Sequence, residues 1–166
     1  MKKLFVFLSL SLLFINVISA QTTTVWVVRH AEKDKSNPQD TNPSLSDEGR
    51  IRVADLAKYL KKVKFDVAFA TPTKRAHQTL DSLTIPKVID YKDIKSLVDS
   101  IKTNYVGKTV IVAGHSNTVL EIIEALGGKK PKDELTDDDY DYIFELSVKG
   151  DRARVKMDQY GRPHHL

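Results

Sequence analysis

The sequence predicts an α/β fold, a three-layer sandwich in which a mostly parallel central sheet is flanked by helices. Three observations support this prediction. Short, nearly continuous β-branched runs, typical of strands buried on both faces, occur at residues 24–28 and 109–113. Segments with apolar residues spaced three and four apart, typical of amphipathic helices, lie between the strand-like runs. The alternation of the two patterns favours parallel strands joined by helical crossovers.

The first half of the chain is predicted to hold two strand–helix pairs. A strand at residues 24–28 is followed by a polar loop at residues 33–43. Ser46 is predicted to cap the first helix, because its hydroxyl can accept a hydrogen bond from a free amide at the helix N-terminus. A second strand covers residues 66–70, and Thr71-Pro72-Thr73 ends it and opens the second helix.

The second half is predicted to continue this alternation. A short third strand covers residues 87–89, a helix follows from Ile94, and a fourth strand covers residues 108–113. Ser116 is predicted to cap the last helix, which Gly127-Gly128 ends. The remaining predicted elements are a charged surface loop at residues 129–139 and a closing hairpin of strands at residues 142–148 and 153–157, antiparallel at an edge of the sheet.

Composition excludes several classes of protein. The chain has 166 residues, a formal net charge of +4 and no cysteine. A disulfide framework, a thiolate nucleophile, an iron–sulfur cluster and a lipid attached through cysteine are therefore excluded. The length indicates one globular domain.

The N-terminus resembles a secretory signal peptide, predicted to span residues 1–20. Lys2 and Lys3 precede an apolar run at residues 4–15, and Ala20 provides a small residue before the cut. The run is shorter than the roughly 20 apolar residues of a membrane-spanning helix, so no stable membrane anchor is expected, although an uncleaved anchor remains an alternative. The mature domain is predicted at residues 21–166, exported to the periplasm or secreted. Its lysines are scattered, so no nucleic-acid partner is expected.

Polar side chains follow three of the predicted strands at their carboxyl ends. These segments hold Arg29 and His30, then Arg75, then His115. Because the carboxyl ends of parallel strands meet at one edge of a sheet, we expect two arginines and two histidines to converge beside helix N-termini. Arginine forks and helix amides suit a compact dianion, so the predicted ligand is a phosphoryl group. Imidazole is a competent phosphoryl acceptor, so no metal and no cofactor are expected.

These segments also carry a family resemblance. The stretches Arg29-His30-Ala31-Glu32, Thr71-Pro72 with Arg75-Ala76 and Gln78-Thr79, Gly114-His115-Ser116-Asn117, and the helix entry Leu45-Ser46-Asp47-Glu48-Gly49 together resemble the histidine phosphatase superfamily, the phosphoglycerate-mutase-like proteins. The resemblance implies that the chain is a phosphatase hydrolysing phosphomonoesters, or phosphohistidine, without metal. It implies a covalent phosphohistidine on His30, phosphoryl oxygens held by Arg29 and Arg75, and a pocket completed by His115. The implied partner is a small phosphorylated substrate or a phosphoprotein.

The superfamily usually supplies a carboxylic acid that protonates the leaving oxygen. Asp81, Asp90, Asp93 and Asp99 lie in the corresponding segment of this chain. Asp93 is the predicted donor, because it lies at a strand-to-helix junction on the expected edge. Its alternative role is a plain N-cap for the helix that follows.

Two other functions remain open at this point. Gly114-His115-Ser116 resembles part of a nucleophile elbow, which would make Ser116 the nucleophile of a serine esterase. A catalytically weak phosphate-binding module would keep the same pocket without turnover. Leaving-group contacts are expected from residues 33–43 and from the stretch after Gly128, around an open, shallow pocket.

For the remaining polar residues we expect structural or surface roles. Glu32 is predicted to be a surface charge at the rim, with orientation of Arg29 or His30 as the alternative. His77 is predicted to be a packing or surface residue. The acidic run at residues 137–141 lacks the spacing of a calcium loop, so a solvated face is expected.

Overall fold

A computed structural model describes residues 21–163 of the chain. The predicted signal peptide and residues 164–166 lie outside the described residues. The elements in chain order are β1 (Thr23–Arg29), α1 (Asp47–Tyr59), β2 (Val67–Ala70), α2 (Lys74–Leu80), β3 (Val88–Asp90), α3 (Ile94–Asn104), β4 (Thr109–Gly114), α4 (Ser116–Ala125), β5 (Tyr142–Lys149) and β6 (Arg152–Gln159). None of the helices within residues 21–163 combines the length and apolar character needed to span a bilayer.

The strands form one six-stranded sheet in the order β3-β2-β4-β1-β5-β6. The first four strands in this order pair in parallel, whereas β5 pairs antiparallel with both β1 and β6. Strands β1 and β4 are central and apolar because both of their faces are covered. The predicted α/β class, with a mostly parallel sheet and an antiparallel hairpin at one edge, is confirmed.

Helices cover both faces of the sheet. Alternate residues of β1 enter different clusters: Val25 and Val27 pack with α3 and α4, whereas Trp26 and Val28 pack with α1 and α2. This division follows from the two-residue period of a strand. Fully buried residues of the helices, such as Leu56, each contribute roughly 1.5–3 kcal/mol through burial. The resulting rigid sheet positions the loops at its carboxyl edge.

One of the predicted helix starts, that of α4, differs from the structure. Ser46 caps α1 as predicted, accepting a hydrogen bond from the Gly49 amide at 3.2 Å. Ser116 is the first residue of α4, and His115 is its N-cap, so the prediction that Ser116 caps this helix is wrong. The sequence pattern favoured a hydroxyl at the cap, but the Thr118 hydroxyl accepts from the His115 amide at 2.9 Å instead. Helix α2 begins after its N-cap, Thr73.

The acidic segment before β5 is a solvated face only at Asp137 and Asp138, which are exposed as predicted. Asp139 and Asp141 are only 2% and 1% exposed, so that prediction is wrong for these two residues. Asp139 Oδ2 accepts hydrogen bonds from the amide and hydroxyl of Thr136, and Asp141 Oδ2 accepts from Gln159 Nε2. Through these hydrogen bonds the two buried carboxylates hold the segment against the rest of the fold.

Candidate active site

The carboxyl edge of the sheet brings the predicted site residues together. In the parallel register, Arg29 of β1 lies beside Gly114 of β4. His30 and His115 follow these two positions, and their rings meet edge to face with centroids 5.1 Å apart. Arg75 reaches the same point from the first turn of α2. Four side chains from three separate segments therefore form one site.

Backbone contacts fix the ring of His30. Its amide donates to the Gly114 carbonyl at 2.9 Å, and its Nδ1 lies 2.7 Å from the Ala31 carbonyl oxygen. A carbonyl oxygen can only accept, so Nδ1 carries the proton. The lone pair of His30 is consequently on Nε2.

The His30 Nε2 atom faces a cation. Arg75 Nε donates a hydrogen bond to it at 3.2 Å. Burial is the main cause that lowers the pKa of His30 to about 3, and the positive charges of Arg75 and Arg29 lower it further. The imidazole is therefore neutral at physiological pH, with an available lone pair among cations. This is the protonation state that a nitrogen nucleophile requires.

His115 provides a second neutral imidazole. Burial, followed by the charges of Arg75 and Arg29, lowers its pKa to about 4. Its Nε2 lies 2.9 Å from the Thr71 hydroxyl, a partner that the sequence interpretation did not include. Thr71 was visible as the residue after β2, but nothing in its spacing indicated a contact with His115. The hydroxyl can donate or accept, so it can follow a change in the protonation of the ring.

The Arg29 side chain contacts the segment that precedes β5. Its Nη1 donates to the Thr136 carbonyl at 2.6 Å, and its guanidinium lies 4.0 Å from the centroid of the Tyr140 ring. The Tyr140 ring is also 6.1 Å from the ring of His30. Sequence reasoning missed Thr136 and Tyr140, because they lie in a charged loop without a recognisable motif.

The loop after His30 is fixed from several sides. The Ala31 amide donates to the Thr79 hydroxyl at 2.9 Å, and the Ser46 amide donates to the Glu32 carbonyl at 2.9 Å. Gly49 is required at this crossing, since an added Cβ would lie 2.2 Å from the Glu32 carbonyl oxygen. These contacts hold the backbone that carries the His30 ring.

Glu32 forms a buried ion pair with Arg52. Arg52 Nε donates to Glu32 Oε1 at 2.7 Å, and the side chains are 5% and 12% exposed. The prediction of an exposed rim charge is therefore wrong. The contact was not visible in the sequence, because it depends on how α1 lies against the loop after β1. Arg52 also donates to the carbonyls of Tyr160 and Arg162.

The predicted proton donor, Asp93, caps α3. Its carboxylate accepts from the Ser96 amide at 2.8 Å and from the Ser96 hydroxyl at 2.9 Å. The Ser96 hydrogen bonds lower the pKa of Asp93, and a lowered pKa disfavours the protonated form that a donor needs. The alternative N-cap role is observed, and the donor role stays a prediction. Asp90 contacts the exposed His77, which is a surface residue as predicted.

Comparison with known proteins tests the family resemblance. Residues 25–97 match the family described as histidine phosphatase superfamily (branch 1). The match to this superfamily covers 73 of the 166 residues. The matched residues include most of β1 and the segments carrying Arg29, His30 and Arg75. The predicted resemblance is thus confirmed over these residues, and with it the enzyme class, a phosphatase acting on phosphate esters. No curated protein sequence matches the chain.

Solved structures of this superfamily share the fold. The protein histidine phosphatase SixA, complexed with tungstate, has a TM-score of 0.66 at 17% identity, covering 82% of this chain and 96% of SixA. YhfR of Bacillus stearothermophilus has a TM-score of 0.66 at 17% identity, covering 86% and 100%. Phosphoserine phosphatase of Entamoeba histolytica, in complex with 3-phosphoglyceric acid, has a TM-score of 0.61 at 17% identity, covering 87% and 100%. At this level of identity the likeness concerns the fold.

Proposed function

We propose that this histidine phosphatase hydrolyses phosphomonoesters through a covalent phosphohistidine on His30. The observation that supports the proposal most directly is the state of the imidazole. Its Nδ1 proton is held by the Ala31 carbonyl, its Nε2 lone pair faces Arg75, and its pKa is lowered to about 3. A neutral, oriented imidazole among cations is suited to attack an anionic phosphoryl group.

In the first step, the Nε2 lone pair forms a bond to phosphorus while the bond from phosphorus to the leaving oxygen breaks. The leaving oxygen takes a proton from solvent water, or from Asp93 if that residue acts as the predicted donor. Arg29 and Arg75 stabilise the charge on the equatorial oxygens, and neutral His115 lies beside them. The Ala31 carbonyl stabilises the Nδ1 proton as positive charge develops on the ring.

In the second step, a water oxygen forms a bond to phosphorus and the bond to His30 Nε2 breaks. The attacking water gives its proton to bulk solvent, phosphate leaves, and His30 returns to its neutral form. Charge stabilisation comes from protein cations, so the proposed route uses neither metal nor cofactor. Among residues 21–163, His, Asp and Glu side chains form no group of three or more that could hold a metal ion.

Phosphohistidine is a second candidate substrate, favoured by the contacts of the carboxylates. Asp93 caps α3, Asp90 contacts His77, and Asp99 contacts Lys95, so each carboxylate is held by a partner outside the four site residues. An imidazole leaves as a weaker base than an alkoxide, so its departure depends less on a carboxylic acid. The structurally similar SixA is a protein histidine phosphatase, which is consistent with this substrate.

The test compares the mature protein with His30→Ala in the presence of a chelator. Hydrolysis of an aryl phosphate that survives the chelator and is lost in the variant supports the proposal. The covalent intermediate is sought by mass spectrometry of samples quenched at alkaline pH, because phosphohistidine is acid-labile. Equal turnover by both proteins would exclude His30 as the nucleophile.

Phosphate binding without turnover would favour the weak binding module, and inactivation by a serine-directed phosphonate would favour an esterase using Ser116.

We also propose that residues 1–20 direct export and that residues 21–166 are the mature phosphatase, periplasmic or secreted. The support is the pattern of two lysines, an apolar run and Ala20. N-terminal sequencing of the protein from each cell fraction tests this proposal. A mature N-terminus at Gln21, within a residue or two, outside the cytoplasm is expected. An intact N-terminus in the membrane fraction would indicate an uncleaved anchor instead.

A further inference from the structure

Asp139 is a buried carboxylate that the proposed phosphoryl transfer does not use. It lies in the segment between α4 and β5. Its Oδ2 accepts hydrogen bonds from the Thr136 amide at 2.6 Å and from the Thr136 hydroxyl at 2.9 Å. Lys132 Nζ lies 3.7 Å from its Oδ1 and supplies a neighbouring positive charge. Burying a carboxylate is costly without such partners, so the contacts to Thr136 and Lys132 fix the Asp139 side chain in place.

The main chain of Asp139 holds Thr136 from the other side. The Asp139 amide donates a hydrogen bond to the Thr136 carbonyl at 3.2 Å, which closes a turn between the two residues. Asp139 therefore contacts the amide, the hydroxyl and the carbonyl of Thr136 together. The direction of the Thr136 carbonyl is fixed as a result.

The Arg29 guanidinium is anchored on this turn. Its Nη1 donates to the Thr136 carbonyl oxygen at 2.6 Å and lies 3.5 Å from the Asp139 carbonyl oxygen. Tyr140 directly follows Asp139, and the centroid of its ring lies 4.0 Å from the guanidinium carbon. The turn thus supplies both the hydrogen-bond acceptors and the aromatic surface that Arg29 contacts.

The anchored guanidinium keeps a donor for a ligand. Arg29 Nε is buried and has no hydrogen-bond partner within residues 21–163. A phosphoryl oxygen would supply the missing acceptor, in a charge-assisted hydrogen bond. Because the guanidinium is planar and rigid, the direction of this donor depends on where Nη1 is anchored.

We propose that Asp139 is a positioning residue for phosphoryl transfer: by fixing the Thr136 carbonyl and the Tyr140 ring, it sets the orientation in which Arg29 meets the phosphoryl oxygens. The inference rests on the proposed function, because it takes Arg29 to hold the phosphoryl group. In this role Asp139 acts through Arg29 rather than on the substrate.

The experiment compares Asp139→Ala with a matched control, Asp141→Ala. Asp141 is an equally buried carboxylate in the same segment, but its side chain accepts a hydrogen bond from Gln159 Nε2. Asp139→Asn is the conservative variant, because its amide oxygen can accept both hydrogen bonds from Thr136. Thr136→Val removes only the hydroxyl bond, so it provides the test if Asp139→Ala does not fold. Urea unfolding gives the stability of every variant.

Asp139→Ala is expected to lower kcat for phenyl phosphate about tenfold and to change KM by less than about twofold, because a displaced guanidinium stabilises the transition state less well. Thr136→Val should lower kcat about threefold, and Asp139→Asn should restore kcat to within about twofold of wild type. Asp141→Ala should also keep kcat within about twofold of wild type. Equal losses of kcat in Asp139→Ala and Asp141→Ala, at equal stability, would overturn the inference. Wild-type kcat in both Asp139→Ala and Thr136→Val would overturn it as well.

A double-mutant cycle with Arg29→Ala separates this inference from the proposed function. The assays use enough enzyme to measure the residual turnover of Arg29→Ala. Once the guanidinium is absent, adding Asp139→Ala or Thr136→Val should lower kcat by less than about a further twofold.

The same fractional loss in both backgrounds would show that Asp139 acts independently of Arg29. That result would overturn the inference and leave the proposed function intact, provided that Arg29→Ala alone lowers kcat. Wild-type kcat in Arg29→Ala would instead contradict the proposed role of Arg29 and, with it, this inference.

Discussion

Arg75 Nε lies 3.2 Å from His30 Nε2 and donates a hydrogen bond to the lone pair that the proposed mechanism uses. An incoming phosphoryl group must replace this hydrogen bond. Its oxygens offer the guanidinium stronger, charge-assisted partners, so the exchange is favourable. In the proposed mechanism Arg75 therefore has two successive roles: it holds the imidazole lone pair toward the site, and it then stabilises the transferring group.

Replacing Arg75 should reduce turnover more than substrate binding. Arg75→Ala removes a cation aimed at the transferring oxygens, and loss of one such donor typically lowers kcat by about 10²–10³-fold. Arg75→Lys should recover only part of this loss, because an ammonium lacks the planar fork. Steady-state kinetics with phenyl phosphate measure both effects. A kcat for Arg75→Ala within about threefold of wild type would contradict a role in phosphoryl transfer.

The two histidines should make stability depend on acid pH. The pKa values of His30 and His115 are lowered to about 3 and about 4, below the value of about 6.5 for an unfolded histidine. Below pH 6.5 the unfolded chain therefore binds more protons than the folded chain does. Their contribution to stability is complete above about pH 6.5 and is lost as the pH falls toward 3.

Urea unfolding between about pH 7 and pH 4 measures this dependence. The His30→Asn/His115→Asn protein is expected to lose less stability than wild type over this range, because it lacks both titrating rings. The difference between the two proteins removes the contribution of carboxylates that titrate in both. Identical losses would show that the histidines do not carry the acid dependence.

The ion pair between Arg52 and Glu32 predicts a large stability effect. Arg52→Met leaves the buried Glu32 carboxylate without this cation, which typically costs about 3–5 kcal/mol. The double variant Arg52→Met/Glu32→Gln should recover part of that loss, since the buried negative charge is also removed. Urea unfolding measures the two free energies. A double variant less stable than the single variant would exclude an uncompensated charge as the cause.

Measurements of both stability and turnover distinguish an N-cap role of Asp93 from a proton-donor role. As an N-cap, Asp93→Ala should lower the free energy of unfolding by about 1 kcal/mol and leave kcat unchanged for every substrate. As a proton donor, Asp93→Asn should lower kcat for an alkyl phosphate and spare p-nitrophenyl phosphate, whose leaving group needs little protonation. Asparagine retains a capping oxygen, so the fold is kept in this second comparison.

The sequence predicted the candidate site best for the residues that directly follow strands or begin helices at the carboxyl edge of the sheet. Short apolar strands alternating with amphipathic helices predicted the parallel sheet, and the sheet then required the residues after β1, β2 and β4 to meet. Arg29, His30, Arg75 and His115 were placed together by this reasoning, and the structure brings them into contact distance. Local patterns were sufficient because each residue follows its own strand or opens its own helix.

Contacts between distant loops could not be predicted in this way. Tyr140 reaches Arg29 because β5 pairs antiparallel with β1, which returns the chain to the same edge. Nothing in the sequence pattern singled out Arg52, yet it contacts both the loop after β1 and the C-terminal residue Arg162. Such contacts depend on docking between elements rather than on periodicity within one element.

The position of β1 between β4 and β5 also determines when the site exists during folding. His30 is among the first residues of the described chain, His115 comes after β4, and the segment holding Arg29 precedes β5. A nascent chain that ends before β5 thus contains the proposed nucleophile and its neighbours but lacks the strand that pairs with β1. Because assembly requires pairings between strands distant in sequence, catalysis should emerge only with cooperative closure of the whole sheet. Enzymatic turnover is consequently a direct reporter of complete folding, and it should disappear in step with tertiary structure as denaturant is added.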